Sequence, residues 1–383
     1  MKKKSLATVL VFLGFIGGLS LLTFTGKERE FSENENRYLA KMPGISWESI
    51  KKGEFQDGFE EYIKDQIVFR DQWITVETAI QKVCLNTDIG GAYVGKNGYD
   101  FEKITPDDVD QKQVDKNVKA INNFFDYACE KVGEDNLYFV LVPTSGLVNS
   151  EKLPKNAILF DQNAYMDDIF QQIGSHVSFD VRELFDQHKD TQLYYKTDHH
   201  WTTEGAFLAY QYWQERTGKN PTANSSSDLT TVTKSFRGSL YSKILDYDSA
   251  YDEIKVLKNT LDTEYTVIAD GEDIGGIYQQ DKLSEKDKYA YFMGGNYGEA
   301  VIHNEEAKDK GNLLLIKDSF ANTMIPMLSA DYENIYMIDL RYFAGHIPTY
   351  MKENNISEIM VLYNISNFIS DKNIFKIGKD LGE

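Results

Sequence analysis

Asn312-Leu313-Leu314-Leu315-Ile316-Lys317-Asp318-Ser319-Phe320 is an apolar run that ends abruptly in charged and hydroxyl-bearing residues. A short apolar run bounded in this way predicts a strand buried on both faces, the kind found in a parallel sheet covered by helices. A helical stretch follows, from Phe320 toward Leu328. Ser319 therefore falls on a strand-to-helix turn, with its hydroxyl above the carboxyl end of the strand, where open parallel sheets bind ligands. The first amides of a helix lack partners and would offer an oxyanion hole beside a nucleophile. The competing reading is that Asp318 or Ser319 merely caps the helix, since both residue types favour that position.

Working outward, the same rhythm recurs. Leu137 to Val142 is continuous and apolar, ending at Pro143, and Asn334 to Ile338 and Glu358 to Leu362 read as further buried strands. A helix is expected near Tyr165 to Ile173 and a short strand near Val177 to Val181. Val114, Val118, Ile121, Phe125, Ala128 and Val132 mark one face of another helix. Alternating strands and helices predict an α/β fold with a mostly parallel sheet. Residues from about 222 to 305 break the rhythm; they are polar and Tyr-rich with Gly-Gly pairs, and read as an insertion of loops and short strands. Gly95-Lys96-Asn97-Gly98, between Tyr93 and Tyr99, predicts a hairpin. Phe55, Phe59, Tyr62, Ile63 and Ile67 predict an amphipathic helix reaching about Trp73, while residues 27 to 50 read as an irregular tether.

The chain has 383 residues, enough for a sizeable core, and no internal repeat is evident. Its net charge of -19 argues against a nucleic-acid partner, because such a surface repels phosphates. Cys84 and Cys129 lie in no CxxC pattern; they are either buried free thiols or a disulfide. Lys2, Lys3 and Lys4 precede an uncharged apolar run from Leu6 to Phe24. As a helix it would span roughly 28 Å, close to a bilayer core. The basic flank predicts that everything after Lys27 lies outside the cytoplasm. A cleaved signal peptide is the rival, although the run is long for one and no small-residue cleavage site follows. Gly14 and Gly18 form a GxxxG pair, a weak sign of helix packing. The expected organisation is a cytoplasmic flank and single-pass membrane anchor (1–26), a tether and helical segment (27–90) and a catalytic domain (91–383).

A second stretch, Thr197-Asp198-His199-His200-Trp201-Thr202, carries the groups a serine nucleophile needs. A hydroxyl attacks well only when a base takes its proton, and histidine does so best with a carboxylate fixing its tautomer. In an extended segment Asp198 and His200 share a side and His199 points away. Trp201 is placed to wall the imidazole, and Thr202 or Thr203 to cap the helix that follows. Three alternatives stand beside this. One is a metal site of Asp198, the two histidines and Glu204, although diverging rings and the lack of a distant Cys/His cluster weigh against it. Another is that His200 is a core histidine bonded to Asp198 for structure alone. The third makes His303 or His346 the base, but neither has an acidic residue at a comparable spacing.

The order Thr197-Asp198-His199-His200-Trp201 and then Asp318-Ser319-Phe320 resembles the DHHW group of SGNH-like proteins, which includes the O-acetylation proteins of alginate biosynthesis. The likeness extends to Glu35–Leu39, Phe69–Asp71, Tyr93–Tyr99, Leu141–Thr144, the Phe236–Leu240 loop with Ser239, and Asp339–Phe343. It implies an SGNH-hydrolase-like three-layer α/β/α sandwich with Asp198, His200 and Ser319 as the triad. It also gives Arg341 a role in orienting the site or neutralising charge, the alternative being a structural pair with Asp339. Trp201, Lys317 and Ser239 are the further binding candidates. Lys317 departs from the glycine common before Asp-Ser, and no clear third-block asparagine is present; Asn364 is the one candidate, and reads more simply as a turn residue.

The resemblance implies acetyl transfer through an acyl-serine to an exported polysaccharide. A membrane-bound O-acyltransferase would supply the acetyl group, and no cofactor or metal is required. An acetylesterase would use the same residues with water as acceptor. A non-catalytic polysaccharide-binding or assembly subunit, its aromatic residues stacking on sugars, is the alternative from outside enzymology.

Overall fold

The computed structural model describes residues 2–32, 34, 37–219, 228–379 and 381. Glu35 and Asn36 of the 35–39 segment and the first residues of the insertion therefore lie outside the described residues. The chain divides into two compact units, Met1–Ile89 with Ser242–Ser249, and Gly90–Tyr241 with Ala250–Glu383.

The second unit is mixed α/β and built on an eight-stranded sheet. In chain order its strands are β1 (Leu137–Val142), β2 (Ser178–Asp180), β3 (Thr266–Ala269), β4 (Glu272–Gly275), β5 (Glu299–His303), β6 (Asn312–Lys317), β7 (Asn334–Ile338) and β8 (Glu358–Asn364). They lie side by side as β4-β3-β5-β7-β6-β8-β1-β2. From β7 to β2 neighbours run parallel, with Leu314 paired to Tyr336 on one side and Ile359 on the other. The edge from β4 to β5, and its junction with β7, is antiparallel. The 222–305 region does hold short strands: three of its segments extend the sheet, and Leu229–Phe236 pairs with Asp252–Leu257 in a separate ribbon.

Side chains alternate along each central strand into two cores, as a pleated strand requires. Val140, Val142, Leu313 and Leu315 pack with Ala206, Tyr210 and Trp213 of the helix Thr203–Thr217. Leu141, Leu314 and Ile316 face the other way, onto Val118, Ile121 and Phe125 of the helix Gln111–Val132. Helices thus cover both faces, which is why β1 and the middles of β6 and β8 can be continuously apolar. The chain steps from β6 to β7 on one side and then to β8 on the other. The carboxyl end of β6 is therefore a switch point, where a crevice opens.

The first unit contains one helix, Leu6–Thr25, whose 20 residues are long and apolar enough to cross a membrane; a signal sequence has the same features. Two further helices, Glu54–Gln66 and Arg70–Val83, stand where the periodicity predicts one. Between them Phe69 takes a left-handed conformation, φ 61°, that a continuous helix cannot contain. Arg29, Arg37 and Ala40 of the expected tether are held rather than loose. Asp65, nearly buried, accepts two bonds from Arg37 and one from the Ala40 amide, while the Gln66 amide group bonds both the N–H and C=O of Arg29.

Candidate active site

Ser319 opens a 3₁₀ turn, Ser319–Thr323, directly after β6, and Asp318 is its cap. The Asp318 carboxylate accepts from the Phe320 amide at 2.9 Å, from the Asn364 amide at 2.8 Å and from the Asn367 side chain at 2.8 Å. The turn is therefore tied to the end of β8. Asn364 in turn donates to the carbonyls of Val142 and Pro143 at the end of β1 and caps the helix Ile365–Ser370. Three adjacent strand ends are stapled by two side chains.

The capping reading holds for Asp318, which leaves the Ser319 hydroxyl outside that role. Asp318 caps, and Ser319 is left half-exposed with its Oγ 2.7 Å from His200 Nε2. The expected oxyanion hole changes accordingly. The Phe320 amide is occupied by Asp318, and Ser319 N–H is the amide at this turn that no described residue accepts from.

His200 Nδ1 lies 2.6 Å from Asp198 Oδ1, and the same oxygen accepts from the His200 amide at 2.9 Å. That second bond curls the segment into an Asx turn, so it is not extended. This overturns the expectation that His199 points away. The two imidazole centroids are 3.8 Å apart, and His199 Nδ1 meets Ser239 Oγ at 2.6 Å. Asp198 Oδ2 accepts from the Ser239 amide at 2.7 Å. Gly238 is required beside it, because a Cβ there would lie 2.2 Å from that oxygen. Asp252, deep in the inserted ribbon, accepts from the amides of Lys196 and Thr197 and from the Thr197 hydroxyl. It fixes the start of the box.

Burial pushes the His200 imidazole down to about 4; the adjacent His199 adds to this, and Asp198 only partly offsets it. Burial alone would raise the Asp198 carboxyl, but the two histidines and the bonds from His200 and Ser239 outweigh it and hold the group ionised. At neutral pH the site is a carboxylate, a neutral imidazole and a hydroxyl in line, each within hydrogen-bond reach of the next. Asp198, His199 and His200 also bring potential ligand atoms within 4.8 Å of one another. A metal there would have to break the His200–Asp198 or His199–Ser239 bond, so the donor set suits a proton relay better than a cation.

The other predicted residues fall differently. Trp201 does not wall His200: it is fully buried and donates from Nε1 to the Phe320 carbonyl at 2.8 Å, tying the box to the nucleophile turn. Lys317 does not reach the surface. It is fully buried, with Nζ 2.8 Å from Asn322 Oδ1 and 3.9 Å from Asp339. Burial pushes its amine down to about 8, with Asp339 opposing and Arg341 reinforcing the shift. Ser239 positions Asp198 and His199. Arg341 donates from Nε and Nη2 to the two oxygens of Asp339, at 2.9 and 2.6 Å, and borders a cavity of about 290 Å³ that Asp318, Tyr363 and Asn367 also line. His303 bonds Asn334 and Glu305 and His346 bonds Thr349, so neither is part of the relay.

Sequence reasoning missed Tyr289. Its ring stacks on His200 at 3.8 Å and 9°, and its hydroxyl bonds the Ser319 carbonyl at 2.9 Å and Thr323 Oγ1 at 2.8 Å. It comes from the insertion, and its only signal there was the abundance of tyrosine.

Among solved structures, a DHHW family protein from Eubacterium siraeum is 21% identical over 75% of this chain and 95% of its own, with a TM-score of 0.61. Bacillus cereus PatB1, solved with a sulfonyl adduct, is 23% identical over 74% of this chain and 97% of its own, also at 0.61. The O-acetyltransferase domain of Pseudomonas putida AlgJ is more distant, 15% identical over 73% of this chain and 93% of its own, at 0.45. No curated protein matches the sequence. The DHHW protein family model matches residues 88–338, from the hairpin through the box and the nucleophile turn to the end of β7. The chain belongs to the DHHW family.

Proposed function

We propose that this protein is a serine O-acetyltransferase of SGNH-like α/β/α architecture, anchored by Leu6–Thr25 with its catalytic unit outside the cytoplasm. Its acceptor would be a hydroxyl of an exported polysaccharide. The observation that carries the reading is the unbroken line Asp198–His200–Ser319, with spacings of 2.6 and 2.7 Å. His200 Nε2 takes the Ser319 Oγ proton as Oγ attacks the acyl carbonyl. The Ser319 N–H stabilises the resulting oxyanion. Collapse expels the donor's leaving group, which recovers the proton from His200, and leaves an acyl-serine. A sugar hydroxyl then gives its proton to His200 and attacks the ester; Ser319 departs and takes that proton back. Asp198 steadies the imidazolium in both halves. The cavity beside Asp318 and Arg341, with Asn367 and Ser370 also on its wall, offers hydrogen-bonding groups to a hydroxyl-rich acceptor. A membrane-bound O-acyltransferase carrying acetyl across the bilayer is the partner this scheme needs. No step calls for a metal or cofactor.

Intact-mass analysis after incubation with an activated acetyl ester tests it. The expected result is an acetyl adduct on Ser319, absent from Ser319→Ala and discharged by an oligosaccharide acceptor. Discharge by water alone at the same rate would make the protein an esterase. Full acetylation in cells carrying Ser319→Ala would make it a non-catalytic subunit.

A further inference from the structure

The helix Arg70–Val83 is amphipathic in an unusual sense: its apolar stripe faces out. Trp73, Val76, Ile80 and Val83 recur at spacings of three and four, the one-face pattern of a helix, and Phe69 continues the stripe at its start. All five are exposed, Ile80 by 59% and Val83 by 83%, and Leu85 just beyond is exposed by 87%. The opposite face is the one anchored within the unit. Thr78 is buried and donates to the Ile244 carbonyl, and Lys82 pairs with Asp246 at 2.6 Å. An uncovered apolar stripe of this length marks an interaction surface.

What covers it is indicated by its neighbour in the same unit. Phe15 of the apolar helix meets Trp73 edge-to-face, with centroids 6.3 Å apart, and Thr23 Oγ1 accepts from the Val68 amide at 3.2 Å. Phe15 lies roughly 15 Å along the helix from its Thr25 end. Trp73 therefore touches the apolar helix within its length, not at its tip. Lipid packed around that helix, were it a membrane span, would reach the stripe as well. We propose that Arg70–Val83 is an interfacial helix whose Phe69–Trp73–Val76–Ile80–Val83 stripe rests in the outer leaflet of the bilayer. This rests on Leu6–Thr25 being a retained membrane anchor. An amphipathic helix lying in the interface plane sinks its apolar face toward the acyl chains. It would give the unit a second attachment that restricts rotation about a single span.

The test uses the full chain in phosphatidylcholine–phosphatidylglycerol vesicles at low protein-to-lipid ratio. An environment-sensitive fluorophore is attached at Ile80→Cys, with Cys84 and Cys129 replaced by serine. A second sample carries the label on native Cys129, which is exposed in the other unit, with Cys84 replaced. Nitroxide-bearing lipids should lower emission from position 80 at least two-fold and leave position 129 unchanged, while aqueous iodide should do the reverse. Iodide quenching at position 80 equal to that at 129 overturns the proposal. Shielding of position 80 from both quenchers also overturns it, by showing that a second copy covers the stripe. The anchor is checked separately, by N-terminal analysis of protein from cell membranes. If the mature chain begins beyond Thr25, the anchor reading fails by itself. The vesicle measurement on that shorter natural form then decides the stripe: lipid quenching at position 80 upholds it, and its absence sinks it.

Discussion

Gly238→Ala probes the reasoning about the acid of the relay without touching a reacting atom. The added Cβ would lie 2.2 Å from Asp198 Oδ2, 2.3 Å from its Cβ and 2.5 Å from its Cγ. Ordinary contact begins near 3.4 Å, so about 1 Å of displacement must be found. It is not to be found in flexible chain ends. Asp198 is nearly buried and held by His200 and the Ser239 amide, and the 238–240 backbone is held by Thr197. The Asp198 carboxylate therefore shifts, and its 2.6 Å bond to His200 lengthens or is lost. A misplacement of about 1 Å costs on the order of 10²-fold in rate, and complete loss of the orienting carboxylate about 10⁴-fold. The expected fall in kcat for an activated acetyl ester lies between these limits. Overpacking costs about 1–3 kcal/mol of stability, so the variant stays folded with a Tm lowered by a few degrees. Turnover within threefold of the parent, at unchanged Tm, would refute the claim that Asp198 must sit where it does.

Lowering pH should spare activity further than an ordinary histidine allows. The folded imidazole lies near 4 against an ordinary 6.5, so the acid limb of kcat/KM falls near pH 4, whereas a limb at 6.5 contradicts the burial argument. The same depression means that the unfolded chain binds a proton between those values and the folded chain does not. Its contribution to stability is present above pH 6.5 and lost as pH falls toward 4, read as a declining denaturant midpoint. Tyr289→Phe keeps the stack on His200 but loses both hydroxyl bonds, and should cost about 5–10-fold in kcat from roughly 1–1.4 kcal/mol of lost hydrogen bonding. Tyr289→Leu loses the stack as well, and should cost a further few-fold in steady-state assays. Asp339→Asn strands the buried Lys317 beside Arg341 and should lower stability by about 3–5 kcal/mol in urea titrations. Lys317→Met, which leaves Arg341 paired with Asp339, should be close to neutral by the same measure.

How far the molecule was legible depends on the range of the interaction that fixes each part. Leu137–Val142 and Asn312–Ile316 declared themselves because a strand buried on both faces needs no partner's identity to be recognised; its own apolarity suffices. The Asp198–His200 pair was legible because carboxylate and imidazole are two residues apart, and Ser319 because a strand must end before the turn that presents it. Reading failed where geometry is set by a hydrogen bond that sequence does not print. The Asp198 bond to the His200 amide turns an apparently extended dipeptide and brings His199 onto its neighbour. The same blindness assigned a free amide to Phe320, which Asp318 occupies, and an open position to Lys317, which a buried asparagine and aspartate hold inside.

The insertion was the least legible, and it contributes most to holding the relay in place. Asp252 fixes the Thr197 backbone, Gly238 and Ser239 fit around Asp198, and Tyr289 lies flat on His200, so the base is clamped from three points spread over some fifty residues. None of these contacts has a local period, because each is made by one side chain reaching a different element. The nucleophile, by contrast, is held by the sheet itself, through Asp318 to Asn364 and thence to Pro143. Serine and histidine are thus held mainly by different scaffolds, joined by the 2.7 Å Ser319–His200 bond, by Trp201 on the Phe320 carbonyl and by Tyr289, which touches both. Substitutions in the ribbon should then impair the base and leave the Ser319 turn intact, while Asn364→Ala should do the opposite. Rescue by added imidazole separates the two: a diffusible base restores acylation of Ser319 in a Gly238→Ala protein, and fails in Asn364→Ala, where the hydroxyl itself is misplaced. Equal rescue in both would mean that the turn and the base move as one body.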